Sequence, residues 1–150
     1  MNIYNLMLTM SGAAYSHAFV AQVSVGGQDE MMKEKDNTYP AVVFDFPIQG
    51  NINNHVKQYN LAFEVHDRII QSNSNVVDKL IRAGKTENIA EDVYHLIRTA
   101  VNTAGYEMEE PNQINFLIDL PETSDINVMT RCEFVINQPR RNCDPIPVKA

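Results

Sequence analysis

The hydrophobic period of this chain changes twice between residues 58 and 137, and that pattern most constrains its fold. Ile89, Ala90, Val93, Leu96, Ile97, Ala100, Val101 and Ala104 recur at three- and four-residue spacing, with Glu91, Asp92, His95, Arg98 and Asn102 between them. This is the stripe of a helix that buries one face. The period then drops to two. Ile114, Phe116, Ile118 and Leu120 alternate with Asn115, Leu117 and Asp119, and Ile126, Val128, Thr130, Cys132, Phe134 and Ile136 with Asn127, Arg131 and Glu133. Residues 58–70 show the same period ahead of the helix, with Tyr59, Leu61, Phe63 and Val65 on one face and Asn60, Glu64 and His66 on the other. Each element has one apolar face to bury, so the economical solution is a sheet with the long helix laid on it.

The remaining segments fill in this scheme. Ile3, Leu6, Met7 and Met10 sit at helical spacing until Ser11 and Gly12, which predicts a short helix or docking arm. Residues 17–25 and 39–47 read as strands, the first ended by Gly26 and Gly27 and the second held between prolines. With residues 58–70 they suggest an antiparallel meander, in which 28–38 is a charged loop and 50–54 another loop. Val76, Val77, Leu80 and Ile81 mark the apolar face of a separate helix over 75–83, which Gly84 ends and after which Thr86 caps the long helix. The expectation is an α+β fold: a mostly antiparallel sheet of about five strands and two helices, the long one on one face. The other face is left to solvent or to a neighbouring subunit. Residues 1–14 form the N-terminal arm, 15–137 a single domain and 138–150 an extended tail with three prolines. Phe63, Val65, Leu96, Ile97, Phe116 and Phe134 should meet under the helix.

Composition narrows the function. A chain of 150 residues with 44% hydrophobic and 21% charged residues has an ordinary globular make-up and needs no metal or disulfide to fold. A net charge of −7 disfavours a protein that clamps nucleic acid over its whole surface, although an acidic channel wall would let DNA slide. The N-terminus lacks the basic start of a signal peptide, and no apolar run approaches the ~18 residues of a membrane span. A reducing compartment is therefore expected, with Cys132 and Cys143 as free thiols: neither has Cys-x-x-Cys spacing or a partnered His.

The search for chemistry finds no nucleotide-binding, hydrolase or metalloprotease motif. Asp45, Glu64 and Asp67 fall on adjacent predicted strands, as the carboxylates of a metal-dependent nuclease would, but alternation already explains Glu64 as charge on a solvated sheet face. His66 and Asp67 are consecutive on a strand and face opposite ways, so a strand-end ion pair fits them better than a proton-transfer dyad. His17, His55 and His95 read as lone surface residues. Lys33 and Lys35 in the charged loop, and Arg140 and Arg141 in the tail, are solubilising charges or contacts to phosphate or an acidic neighbour. With Ile146 and Val148, two apolar residues that a free tail would waste, they form the candidate subunit interface. No cofactor is implied.

Three stretches carry a resemblance. They are Tyr39-Pro-Ala-Val-Val-Phe-Asp-Phe-Pro, then Gln58-Tyr-Asn-Leu-Ala-Phe-Glu-Val-His-Asp-Arg, and the close Phe134-Val-Ile-Asn followed by Cys143-Asp-Pro-Ile-Pro. Over roughly residues 15–147 the chain resembles small neck proteins of phages infecting Bacteroidetes, including crAss-like phages. It is thereby similar to the tail-terminator (tail-completion) family. The resemblance implies a non-enzymatic ring subunit in the virion, six- or twelve-fold, assembled in the bacterial host cytoplasm. Such a ring stacks on portal, neck or tail rings and lets DNA pass without sequence-specific binding. A small metal-dependent nuclease using Asp45 and Glu64, and a peptide-binding adaptor with an exposed strand, are the alternatives.

Overall fold

A computed structural model describes residues 2–26, 38–53, 56–68, 76–108, 115–119, 127–139 and 147–149. In chain order the elements are α1 (Ile3–Tyr15), β1 (Gln22–Val25), β2 (Ala41–Phe44), β3 (Gln49–Asn53), β4 (Val56–Arg68), α2 (Val76–Thr103), β5 (Glu107–Met108), β6 (Asn115–Asp119) and β7 (Asn127–Pro139). The class is α+β, as the periodicity indicates, with seven strands in one sheet among the described residues rather than about five.

Two long strands form the spine. β4 and β7 pair antiparallel along their whole length, from Val56 opposite Pro139 to Arg68 opposite Asn127. Short strands line both outer edges: β3 and β2 follow one another along β4, and β5 and β6 along β7. The segment read as a loop over 50–54 is β3, the first arm of a hairpin with β4. Its polar side chains hide it from a pattern of apolar alternation. The meander also needs correcting, because β1 pairs with β2 in parallel, Gln22 opposite Ala41 through Val25 opposite Phe44. A parallel pair requires a long connection, and the charged segment after Gly26 supplies the length.

α2 lies along the β4–β7 seam and runs antiparallel to β4. Arg82 reaches Asp67 near the end of that strand, Thr86 meets Thr130 opposite Val65, and the Tyr94 ring packs edge-on to Phe134 opposite Leu61. Phe63, Val65, Ile97 and Phe134 are buried together there with Phe44, Val93, Val101 and Cys132. Leu96 is only half-buried, because it points off the flank of the stripe. Phe116 sits opposite Cys132 in β6, and its side chain lies outside the described residues.

The two helices expected over 75–83 and 86–104 are one. Gly84 does not end the first, and Thr86 caps nothing: its hydroxyl is buried and donates to the carbonyl of Ala83 at 2.9 Å. Continuing the helix brings Ala83, Thr86, Ile89 and Ala90 onto the sheet, which outweighs the roughly 0.5–1 kcal/mol that a mid-helix glycine costs. The true stop is Gly105, at φ 90°. There the Tyr106 amide donates to the Val101 carbonyl and the Gly105 amide to that of Asn102, the two bonds of a Schellman end.

α1 also outruns its expected break and continues through Ser11 and Gly12. A capping box opens it, with the Asn5 amide donating to the Asn2 side chain and the Asn2 amide to the Asn5 side chain, both at 3.2 Å. Leu6, Met10 and Ala14 are fully buried in the same core cluster. The start of α1 lies by the end of α2, where the Tyr106 hydroxyl approaches the Asn2 carbonyl at 3.5 Å, and its end lies by mid-α2 at Asp92. α1 thus covers only the C-terminal half of α2. β7 reaches Pro139, two residues into the segment expected as tail.

Candidate functional site

The sheet face turned away from α2 does not carry the open charge expected of it. Glu64, His66, Ala41 and Val43 are buried there, with Tyr39 packed against the last two. Registration explains the cluster that results. Glu64 on β4 stands directly opposite Arg131 on β7, and Val43 opposite Glu64 on the other side. Arg131 Nη1 donates to Asp45 Oδ2 at 2.8 Å and to Glu64 Oε2 at 3.3 Å, while its Nε donates to Glu133 Oε1 at 3.1 Å. The second carboxylate oxygen of Glu64 meets His66 Nε2 at 3.3 Å.

The electrostatics follow from this packing. Burial pushes the Glu64 carboxyl up, but His66 and Arg131 together outweigh it and hold the group below its ordinary range. Burial likewise opposes the charge of Arg131, and the hydrogen bonds and charges of its carboxylate partners overcome it, so the guanidinium holds its proton more tightly than usual. Next along β7, Cys132 faces the core. Burial, with the charge of Glu133, pushes its thiol up to about 12, so it is a small core hydrophobe and no nucleophile at neutral pH.

The acidic trio is thus divided. Asp45 and Glu64 do converge, but on one guanidinium nitrogen that occupies the place of a bridging cation. Asp67 points to the opposite face and pairs with Arg82 at 3.3 Å, a strand-end ion pair on the side away from His66. Among the described residues no group of three or more His, Cys, Asp or Glu is placed to hold a metal ion. Arg131 was the missed member. Its signal was parity: Glu64 and Arg131 both fall on the polar side of the alternation in two strands that pair in full.

The histidines also differ from expectation. His17 is not alone. Its Nε2 lies 3.0 Å from Asp92 Oδ2, and its Nδ1 accepts the Phe19 amide at 3.1 Å, so Nε2 carries the proton that goes to Asp92. With His95, Leu96 and Thr99 this pair lines a shallow open pocket of about 390 Å³ between the end of α1 and α2. Phe19, 71% exposed, stands beside the His17 ring at 5.8 Å. His95 is on the surface, as expected.

Of the candidate interface residues, Val148 is described and is 85% exposed. Lys33, Lys35, Arg140, Arg141 and Ile146 lie outside the described residues, as do His55 and Cys143. Sequence reasoning missed a larger surface. Val76, Val77, Leu80 and Ile81, read as a buried face, are 67%, 62%, 54% and 55% exposed. Arg82 already sits over the described end of β4, so the turns before it overhang the described strands. On α1, Tyr4, Leu8 and Tyr15 are also mostly exposed and share one outer stripe.

No protein-family model matches the chain, and no curated protein matches its sequence. No helix among the described residues is long and apolar enough to cross a membrane.

Proposed function

We propose that the chain is a structural assembly subunit of the tail-terminator type: one copy in a six- or twelve-fold homo-oligomeric ring at the head–tail junction of a tailed bacteriophage. In the virion it contacts adjacent portal, neck or tail rings and forms part of the conduit through which DNA passes. The observation that carries the assembly reading is the overhang of α2. Four large aliphatic side chains stand together in solvent on one helix face, where a self-sufficient domain would place charge. The phage setting comes from the resemblance in the 39–68 and 134–147 stretches.

The nuclease alternative draws on the convergence of Asp45 and Glu64. Arg131 stands between them, and a divalent ion would have to displace it, so the geometry favours an ion pair that joins β2, β4 and β7. The test is made on particles. Mass spectrometry of tailed-phage virions from cells that encode this chain should detect it in the neck or tail, and deleting its gene should leave heads and tails unjoined. Virions that lack the chain, or purified protein with Mg²⁺-dependent cleavage lost in Asp45→Asn, would sink the reading.

A further inference from the structure

α2 carries two different surfaces along its solvent side. Its first turns hold the overhanging Val76, Val77, Leu80 and Ile81, flanked by Lys79, Arg82 and Lys85 against one acid, Asp78. Its middle turns, from Thr86 to Thr99, hold Glu87, Glu91 and Asp92 against His95 and Arg98. The pocket at His17, Leu96 and Thr99 opens on these acidic turns, and the strip of chain beside it is uncharged: no Asp, Glu, Lys or Arg occurs before Asp29. One surface is apolar with a basic border, and the other is an apolar recess with an acidic border.

We propose that these surfaces bind each other between copies of the chain. The overhang of one copy seats its Leu80 and Ile81 on the next copy's pocket between α1 and α2, beside Phe19, and Lys85 faces Glu87 and Glu91. The occupant is a second copy because the charges complement: exposed Lys85 beside the overhang is opposite in sign to exposed Glu87 and Glu91 beside the recess, whereas Arg82 and Asp92 already pair with Asp67 and His17 of their own chain. The two surfaces lie about 17 residues apart on one helix, or roughly 25 Å at 1.5 Å per residue, and they are not the same patch. The contact is therefore head-to-tail, and repeating it gives a ring or an open filament, not a two-fold dimer. Tyr15 and Phe19, both exposed, extend the apolar area toward the roughly 1,000 Å² that a specific contact needs.

The inference rests on the assembly reading but fails separately from it. The full chain is followed by sedimentation velocity over a concentration series. Leu80→Asp disables the overhang and Thr99→Trp fills the recess; both positions are exposed, and unchanged thermal melting checks the fold. Each variant alone should be monomeric, with association weakened about tenfold or more. Mixed, they should form one-to-one dimers and nothing larger, because each retains one intact surface. Lys85→Glu and Glu91→Lys should each weaken association at low salt, and the double variant should regain it. Wild-type association that Leu80→Asp leaves unchanged, or a mixture that gives no dimer, overturns this contact while the particle test of the ring still stands. A wild-type chain that is monomeric at every concentration overturns it as well.

Discussion

The hydroxyls of Thr86 on α2 and Thr130 on β7 lie 2.9 Å apart in the core, both fully buried. Thr86 has already given its proton to the Ala83 carbonyl, so Thr130 is the donor between them. This bond fixes the axial position of α2 on the sheet. Thr86→Val keeps the volume but leaves the Thr130 hydroxyl buried without an acceptor, at a cost of about 1–3 kcal/mol. The double variant Thr86→Val, Thr130→Val removes both partners and should recover most of that loss. Urea unfolding of the four proteins in the cycle checks it, and strict additivity would show that the bond contributes nothing.

Glu64 sets an acid limit. Its folded-state pKa lies below the ordinary value of 4.5, so the stability it contributes is present above pH 4.5 and is lost as pH falls through the lower folded value. Glu64→Gln should lower stability at pH 7 and flatten the fall of the melting midpoint below pH 4.5. Arg131→Met should be the more damaging change at pH 7, by about 3–5 kcal/mol, since it strands a buried carboxylate. Equal acid sensitivity of wild type and Glu64→Gln would contradict the assignment.

Much of this fold is legible in the sequence because its spine is built from unbroken periods. Residues 58–70, 86–104 and 126–137 each follow one period, and the structure places 58–68, 86–103 and 127–137 in the strand, helix and strand that those periods indicate. The errors occur where tertiary packing overrides local chemistry. Gly84 is a competent helix stop, yet the sheet surface under Ala83, Thr86 and Ile89 carries the helix through it. β3 exists because β4 offers an edge to polar residues that have no apolar signal of their own. The parallel register of β1 with β2 depends on a crossover that no local pattern encodes. The candidate surfaces were harder to read for a physical reason: Val76, Val77, Leu80 and Ile81 look identical to a buried stripe until one knows that, among the described residues, the β4–β7 pair runs only to Arg68 opposite Asn127. The pairing of Glu64 with Arg131 likewise needs the register of two strands separated by the whole of α2.

Gly84 gives a direct check on the continuous helix. A Cβ built there meets no atom within 4 Å, so Gly84→Ala adds no clash and removes backbone freedom from the unfolded chain. Stability should rise by about 0.5–1 kcal/mol. If Gly84 instead closed a helix in the left-handed region, alanine would destabilise. The sign of the change in melting temperature distinguishes the two.

The tail tests assembly apart from folding. β7 pairs with β4 as far as Pro139 opposite Val56, so a truncation intended to spare the domain must start at residue 140. A deletion from 139 would instead unpair the end of the sheet. Residues 140–150 include Pro145 and Pro147, which limit the backbone freedom lost on docking, and Val148 stands 85% exposed on the isolated chain. On the assembly reading this segment, with Arg140, Arg141 and Ile146, contacts a neighbouring subunit or ring, and its loss should act there. The truncated chain should melt within about 0.5 kcal/mol of wild type, the range of a change outside the core, and should fail to enter particles when supplied in place of the full chain. A large fall in stability would show that the tail belongs to its own domain. Normal incorporation at full stability would remove residues 140–150 from the assembly interface.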